Sequence, residues 1–318
     1  MKAQGHDSII YMGTPSFSAD LLESLIPRFN IAAVVSQPDR PRGRGLELCH
    51  TPVKATALKY GMMVLQPEKT NDPQLYERIK ALQPALIVVF AYGAFLTKEL
   101  LRIPTLGCIN LHSSLLPKYR GAAPVQWALM KGEEVTGWTT FFIDEGMDSG
   151  DIIDRFEMLI DPEEDAVNLF KRMLPAGREI IIQSIVKVLE GKAPRMPQEH
   201  TQASFARSLK KIDGLISWRD PSQEIVNQVR GLVPWPAAHT YIQIKGKRLE
   251  LKIFKARSLS QGESCPGQIL EILGHGLIVG TGSGVLLIEE VQLEGGKRMK
   301  TQDFLRGHPL TLRMILGE

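Results

Sequence analysis

Asn110 and His112 stand two residues apart where an apolar run gives way to a turn rich in Pro and Gly, in residues 107–124, GCINLHSSLLPKYRGAAP. Residues two apart on a strand share one face, and both side chains carry donors that can converge on one oxygen. Such a pair suits an oxyanion. By itself an Asn-x-His is more often a hydrogen-bonded strand end. Asp148 lies 36 residues beyond His112, in residues 137–153, GWTTFFIDEGMDSGDII, together with Asp144, Glu145 and Asp151. Acids clustered in a Gly-containing turn are ordinarily solvated turn formers, and the EF-hand spacing with its terminal Glu is absent. A third group, Arg40, Arg42 and Arg44, sits among Pro and Gly in residues 38–48. That is the composition of a mobile arm for a phosphate backbone, and also of a plain solvated loop.

Short β-rich runs at 9–12, 32–35, 63–65, 85–90 and 107–111 alternate with helical spacing at 18–25, 52–60 and 73–82. The alternation predicts an α/β domain with a doubly wound, mostly parallel, Rossmann-like sheet. Ligands in such a sheet bind beyond the carboxyl ends of the strands, where Asn110 and His112 fall. Ser16 or Ser18, Thr51 and Asp72 are the expected N-caps. Strands at 139–143 and 152–159 flank the acid-rich loop, and a helical stretch follows at 165–189. Pro175 and Gly177 lie inside that stretch; Pro lacks the donor and clashes with the preceding turn, so a break or kink is expected near Leu174.

Residues 191–208 carry two Pro and no periodicity, which reads as a linker between a domain at 1–190 and a second at 209–318. After a helix at 223–231, short runs at 240–244, 248–256, 267–273, 277–280 and 285–293 suggest a small β-barrel or sandwich, and an OB-like barrel is the expectation.

With 318 residues the chain is long enough for two cores, and 43% hydrophobic and 23% charged residues are the composition of a soluble protein. The N-terminus does not read as a secretory signal. The longest apolar run, 85–96, is about half the length of a membrane-spanning helix, so a cytoplasmic protein without membrane attachment is expected. Cys49, Cys108 and Cys265 are odd in number and far apart, fitting neither a disulfide framework nor a zinc site; reduced thiols and no metal are expected. From Leu209 onward 15 Lys+Arg face 11 Asp+Glu, against 23 and 24 before it, so the basic excess lies in the last third. A polyanionic partner would fit that asymmetry, as would an ordinary solvated surface.

Asn110-x-His112, the Ser-Leu-Leu-Pro of residues 114–117, and Asp148-Ser149-Gly150 resemble, in order and separation, the signature of the formyltetrahydrofolate-dependent formyltransferase family. The resemblance implies 10-formyltetrahydrofolate as formyl donor and Asn110, His112 and Asp148 as a catalytic trio. It implies folate contacts from Ser114, Leu115, Leu116 and Pro117, and a pterin held by main chain at Phe90, Ala91, Tyr92 and Gly93 and by the loop of Asp144. In that chemistry a neutral amine attacks the formyl carbon, and negative charge grows on the formyl oxygen. Asn110 and a cationic His112 would stabilise it, while Asp148 would favour the cation and accept the amine proton, directly or through water. Neither a covalent enzyme intermediate nor a metal is required.

The trio does not fix the acceptor, because the family includes glycinamide ribonucleotide and nucleotide-sugar enzymes and a formate-releasing hydrolase. Residues 10–17, IYMGTPSF, 36–54, SQPDRPRGRGLELCHTPVK, 230–236, RGLVPWP, and 291–307, VQLEGGKRMKTQDFLRG, resemble the methionyl-tRNA branch, which extends the likeness over nearly the whole chain. That implies initiator methionyl-tRNA as acceptor; separately, a monomer is expected. Arg40, Arg42 and Arg44 would meet the acceptor stem, and Lys210 and Lys211, with Lys245, Lys247, Arg248, Lys297, Arg298 and Lys300, would extend the basic track. The chain departs from the branch at Leu46 and Glu47, where a lysine pair is common, and at Arg42, where a small residue is common; individual arginine roles are therefore less defined than the task of the loop. A nicotinamide dehydrogenase is disfavoured because Gly13-Thr14-Pro15 replaces G-x-G-x-x-G and Pro15 removes a backbone donor. A non-enzymatic RNA-binding protein would leave the Asn-x-His and Asp-x-Gly pair without a purpose.

Overall fold

The computed structural model describes residues 7–42, 47–259 and 265–317. Two compact units are present: Met1–Gly121, Gly137–Met158 and Met173–Phe205 form one, and Ala122–Thr136, Leu159–Arg172 and Ala206–Glu318 the other.

Seven strands make the main sheet: β1 (Ile9–Gly13), β2 (Ile31–Val35), β3 (Val64–Leu65), β4 (Leu86–Phe90), β5 (Cys108–His112), β6 (Val135–Phe142) and β7 (Ile152–Leu159). Their order is β7-β6-β5-β4-β1-β2-β3. The first five are parallel, and β6 runs antiparallel to β5. β1 and β4 are buried along their whole length, as IIYMG and LIVVF require of strands covered on both faces. The chain winds outward from β1 to β3 and then returns to β4 on the other side, which places the topological switch at the carboxyl ends of β1 and β4.

Helices α1 (Ser16–Leu25), α2 (Pro52–Lys59) and α3 (Pro73–Ala81) follow the expected pattern, and Thr51 and Asp72 cap α2 and α3 through Lys54 N–H and Gln74 N–H. The cap of α1 differs from expectation. Pro15 occupies the N-cap without a side-chain bond, and the Ser18 hydroxyl turns inward to donate to the Phe90 carbonyl at 2.8 Å. Tyr11 Oη donates to the Ser18 carbonyl at 2.8 Å. A buried hydroxyl needs an internal partner, and here it braces β1 to β4.

Helix α4 is Pro124–Met130, and α5, Ala166–Leu189, runs without the expected break. Trp138 donates its indole N–H to the Met173 carbonyl at 2.8 Å, beside Pro175. Gly177 makes room for that ring, since a Cβ there would sit 2.6 Å from Trp138 Cε2. The buried indole thus supports the turn that proline weakens. Residues 191–208, expected as a linker, are packed in part: Met196 and Ile152 exchange backbone bonds of 2.8 and 3.0 Å, and Gln198 is buried.

The second unit holds an antiparallel sheet of β8 (Ala238–Ile244), β9 (Lys247–Leu259), β10 (Ile269–Leu273), β11 (Gly276–Gly280), β12 (Val285–Leu293) and β13 (Met299–Lys300), in the order β8-β9-β12-β11-β10 with β13 beside β12. The last residues bridge its two edge strands: Ile269 N–H donates to Met314 O, Leu316 N–H to Gly267 O and Gly317 N–H to Tyr241 O, each at 2.8 Å. Edge groups that would otherwise be open to pairing are thereby satisfied. Helix α6 (Ser222–Gly231) lays Ile225 and Val229 on a core that includes Trp218, Ile242, Ile253, Leu286, Ile288 and Phe304.

Candidate active site

Asn110 and His112 occupy the carboxyl end of β5, on one face of the strand. Asn110 lies in register with Val89 and Phe141, and His112 with Thr139. His112 is only 6% exposed, so its ring nitrogens need partners inside the fold. Nε2 donates to the Tyr119 carbonyl at 2.9 Å. Because a carbonyl only accepts, that bond sets the ring orientation and keeps a proton on Nε2. Nδ1 is the edge left for chemistry, and it lies 3.7 Å from Asp148 Oδ2. The separation is too long for a direct hydrogen bond. Tyr119 is itself held, at a φ of 60°, by its N–H bond to Ser204 Oγ at 2.9 Å. The orientation of His112 therefore rests on Tyr119, which gave no signal in the sequence.

Asp148 adopts the left-handed conformation, φ 47°, in the turn between β6 and β7, and its Oδ2 accepts the Gly121 N–H at 2.7 Å. The turn folds back tightly on β6. A Cβ on Gly150 would lie 1.8 Å from the Phe142 carbonyl oxygen, so only glycine permits this return. Asp144 is exposed and closes the same loop, accepting from Ser149 Oγ at 2.7 and 2.9 Å and from Gly146 N–H at 3.0 Å.

The expected folate segments differ in what they present. The Ser114 hydroxyl is buried and donates to Lys118 O at 2.7 Å, and Leu116 is 1% exposed. Thr139 ties this loop to β6, donating to Ser114 O at 2.7 Å and accepting from Leu116 N–H at 3.1 Å. Leu115 and Pro117 remain half-buried. Phe90 and Tyr92 point their side chains into the fold, and burial pushes the Tyr92 phenol up to about 12. Ala91 and Gly93, with φ of 52° and 90°, are exposed beyond β4. Thr14 Oγ1 donates to Tyr92 O at 2.8 Å and fixes that main chain to the end of β1.

Within the arginine segment, Arg40–Arg42 pairs antiparallel with Glu47–Cys49 as a two-stranded ribbon. Arg40 pairs with Glu68 at 3.2 Å, both exposed. Arg44 lies outside the described residues. Asp39 anchors the base of the ribbon, accepting from Lys54 Nζ at 2.6 Å, His50 Nδ1 at 2.7 Å and Gln66 Nε2 at 2.7 Å. Burial alone would raise the Asp39 pKa, but these donors outweigh it and hold the carboxyl well below the usual carboxylate range. In the second unit Lys210 is exposed, and Lys211 pairs with Glu250 at 3.0 Å.

The parallel sheet thus has its switch point at β1/β4, and the end of β5 carries Asn110 and His112, the latter 3.7 Å from Asp148. Residues 8–185 match the family described as formyl transferase, and residues 208–309 match the formyl transferase C-terminal domain. The methionyl-tRNA formyltransferase of Syntrophus aciditrophicus is 45% identical over 312 residues, covering 98% of this chain and 99% of the relative. That of Geobacter metallireducens is 46% identical over 313 residues, 98% of each chain. The chain belongs to the formyl transferase family, within its methionyl-tRNA formyltransferase branch. Among solved structures, an N-formyltransferase from Helicobacter canadensis, in complex with folinic acid and dTDP-3-aminofucose, shares the fold. Its TM-score is 0.66 at 18% identity, over 89% of this chain and 98% of that one. HypX from Aquifex aeolicus, in complex with tetrahydrofolic acid, gives 0.62 at 17% identity, over 95% of this chain and 47% of that one.

Proposed function

We infer that this chain transfers the formyl group of 10-formyltetrahydrofolate to the amino group of methionine esterified to initiator tRNA. The observation that carries the reading is the identity of 45–46% to methionyl-tRNA formyltransferases along 98% of the chain.

Attack of the amine on the formyl carbon gives a tetrahedral intermediate with its charge on the formyl oxygen. Asn110 donates an amide N–H to that oxygen, and His112 donates from Nδ1 when protonated; Nε2 stays with Tyr119. Asp148, 3.7 Å from Nδ1, takes the proton that the amine loses, directly or through water. When the C–N bond to the folate breaks, a proton returned to the departing nitrogen completes the transfer. Leu115 and Pro117 contact the folate through side chains, and Ala91 and Gly93 through exposed main chain. Ser114, Leu116, Phe90 and Tyr92 hold those surfaces from beneath, and Asp144 shapes the loop over the pterin.

Residues 1–190 carry the chemistry, and 209–318 hold the tRNA with Lys210 and Lys211. Arg40, Arg42 and Arg44 meet the acceptor stem. The Arg40–Glu68 pair does not oppose this role, because exposed ion pairs contribute only about 0–1 kcal/mol and exchange readily. The enzyme acts as a cytoplasmic monomer.

The test is incubation with 10-formyltetrahydrofolate and charged initiator tRNA, beside uncharged tRNA, free methionine and a nucleotide-linked amino sugar. Formylmethionyl-tRNA should form at a kcat/KM far above any control. Equal transfer to a small amine, or binding without turnover, would overturn the reading.

A further inference from the structure

The carboxylate of Asp148 does not touch His112 directly, so the contact between them does not fix its aim. The Gly121 N–H holds its carboxylate and Asp144 closes the loop before it, while the two peptide carbonyls at Asp148 and Gly150 are met by the side chain of residue 198, beyond one matched family region and before the next. We propose that Gln198 is a positioning residue for Asp148, clamping the peptide groups around it so that its carboxylate faces His112. The proposal rests on Asp148 belonging to the catalytic trio.

Gln198 is 6% exposed. Its Nε2 donates to the Asp148 carbonyl at 2.9 Å and to the Gly150 carbonyl at 2.8 Å. Holding carbonyls at both positions fixes the main chain that carries the left-handed Asp148 and so the direction of its side chain. Its Oε1 accepts from Arg120 Nη2 at 2.6 Å and Nε at 3.2 Å. Arg120 is 5% exposed, its Nη2 also donates to His200 Nδ1 at 3.1 Å, and among the described residues it has no carboxylate partner. The residue after Arg120 is Gly121, whose N–H meets Asp148 Oδ2. The bonds therefore close a circuit: Arg120 to Gln198, Gln198 to the Asp148 and Gly150 carbonyls, and Asp148 back to the chain beside Arg120.

The choice of side chain carries the inference. A buried guanidinium is expensive without a strong acceptor, and a carboxylate is the ordinary solution. A Glu at 198 could accept from Arg120, but when ionised it has no donor for the two carbonyls and would repel them. Only the amide does both, so the residue meets a need of the Asp148 turn as well as that of the arginine.

The experiment compares the full-length parent with Gln198→Met, Gln198→Glu, Asp148→Asn and the Gln198→Met/Asp148→Asn pair, measuring kcat, both KM values and thermal unfolding. Gln198→Met should lower kcat by about 10- to 100-fold, since a reacting group misplaced by about 1 Å can cost ~100-fold, with both KM values within about twofold. Gln198→Glu should remain impaired although Arg120 is paired, and it decides alone if Gln198→Met fails to fold. In the Asp148→Asn background Gln198→Met should add less than about twofold, since its target is gone. Restoration of kcat by Glu, a full multiplicative loss in the pair, or a rise in KM at unchanged kcat would each overturn the proposal. Parent-like Gln198 variants beside a crippled Asp148→Asn would overturn it while leaving the trio intact. Parent-like Asp148→Asn would remove the trio assignment and this proposal together, and a parent without formylation would remove the functional reading.

Discussion

The corner at His112 and the ribbon at Arg40 are built by opposite means. At the corner the polar groups are buried or half-buried and tied to main chain: His112 to Tyr119 O, Asp148 to Gly121 N–H, Ser114 to Lys118 O. On the ribbon Arg40 is exposed and its side chain pairs with another exposed side chain, Glu68. Stabilising a developing charge needs donors fixed within a few tenths of an ångström, whereas attraction to a phosphate chain works through charge density and counterion release. The first task requires a site assembled from distant segments, and the second requires arginines on a surface. The base of the ribbon is fixed by Asp39 and its three donors.

The contrast can be broken at either side. The largest effect is expected at the corner: Asn110→Ala and His112→Ala should each lower kcat by ~100- to 1,000-fold, and the double variant should lose much less than the product. Steady-state kinetics with folded, folate-binding protein checks this, and multiplicative losses would mean the two do not act on one intermediate. Gly150→Ala should come next. Its Cβ overlaps the Phe142 carbonyl, so unfolding by urea should show a loss of about 1–3 kcal/mol together with reduced kcat; parent-like stability would mean the turn relaxes freely. Replacing Arg40, Arg42 and Arg44 together by Ala should instead raise KM for charged tRNA and leave KM for the formyl donor unchanged. If three phosphate contacts are lost, the log–log salt slope should shrink by roughly 2–3, and an unchanged slope would return the ribbon to a solvated surface.

The smallest effect concerns the base of the ribbon. Asp39 has a folded pKa below its unfolded value of about 3.9. Its contribution to stability is therefore complete above about pH 4 and disappears as pH falls through the lower, folded value. Asp39→Asn should melt below the parent near neutral pH, and the gap should narrow in acid. A gap independent of pH would assign the loss to hydrogen bonding alone.

Much of the corner was legible in the sequence because its parts have fixed local meanings. Asn-x-His at the end of an apolar run places both side chains on one face whatever the fold, and the alternating runs at 9–12 and 85–90 announced the buried strands. The supports were not legible. Tyr119 acts through its carbonyl, Gly121 through its N–H, and Gln198 from an aperiodic stretch that read as a linker, so none carries a side-chain pattern that spacing could expose. At Pro175 propensity argues for a break or kink; the helix is not broken there, and the Trp138 indole and the space at Gly177 are tertiary features that support it. Ser18 looked like a cap and became a brace because the end of β4 lies within its reach.

The most direct test is single-turnover formylation of methionyl-tRNA by Asp148→Asn with both substrates saturating. Asn keeps the left-handed backbone within reach and retains an oxygen for Gly121 N–H, so binding should be unchanged while the acid–base function is lost. The chemical step should slow by at least ~100-fold with the Kd of each substrate within about twofold of the parent. A parent-like chemical step would contradict the assignment of Asp148 and the mechanism built on it.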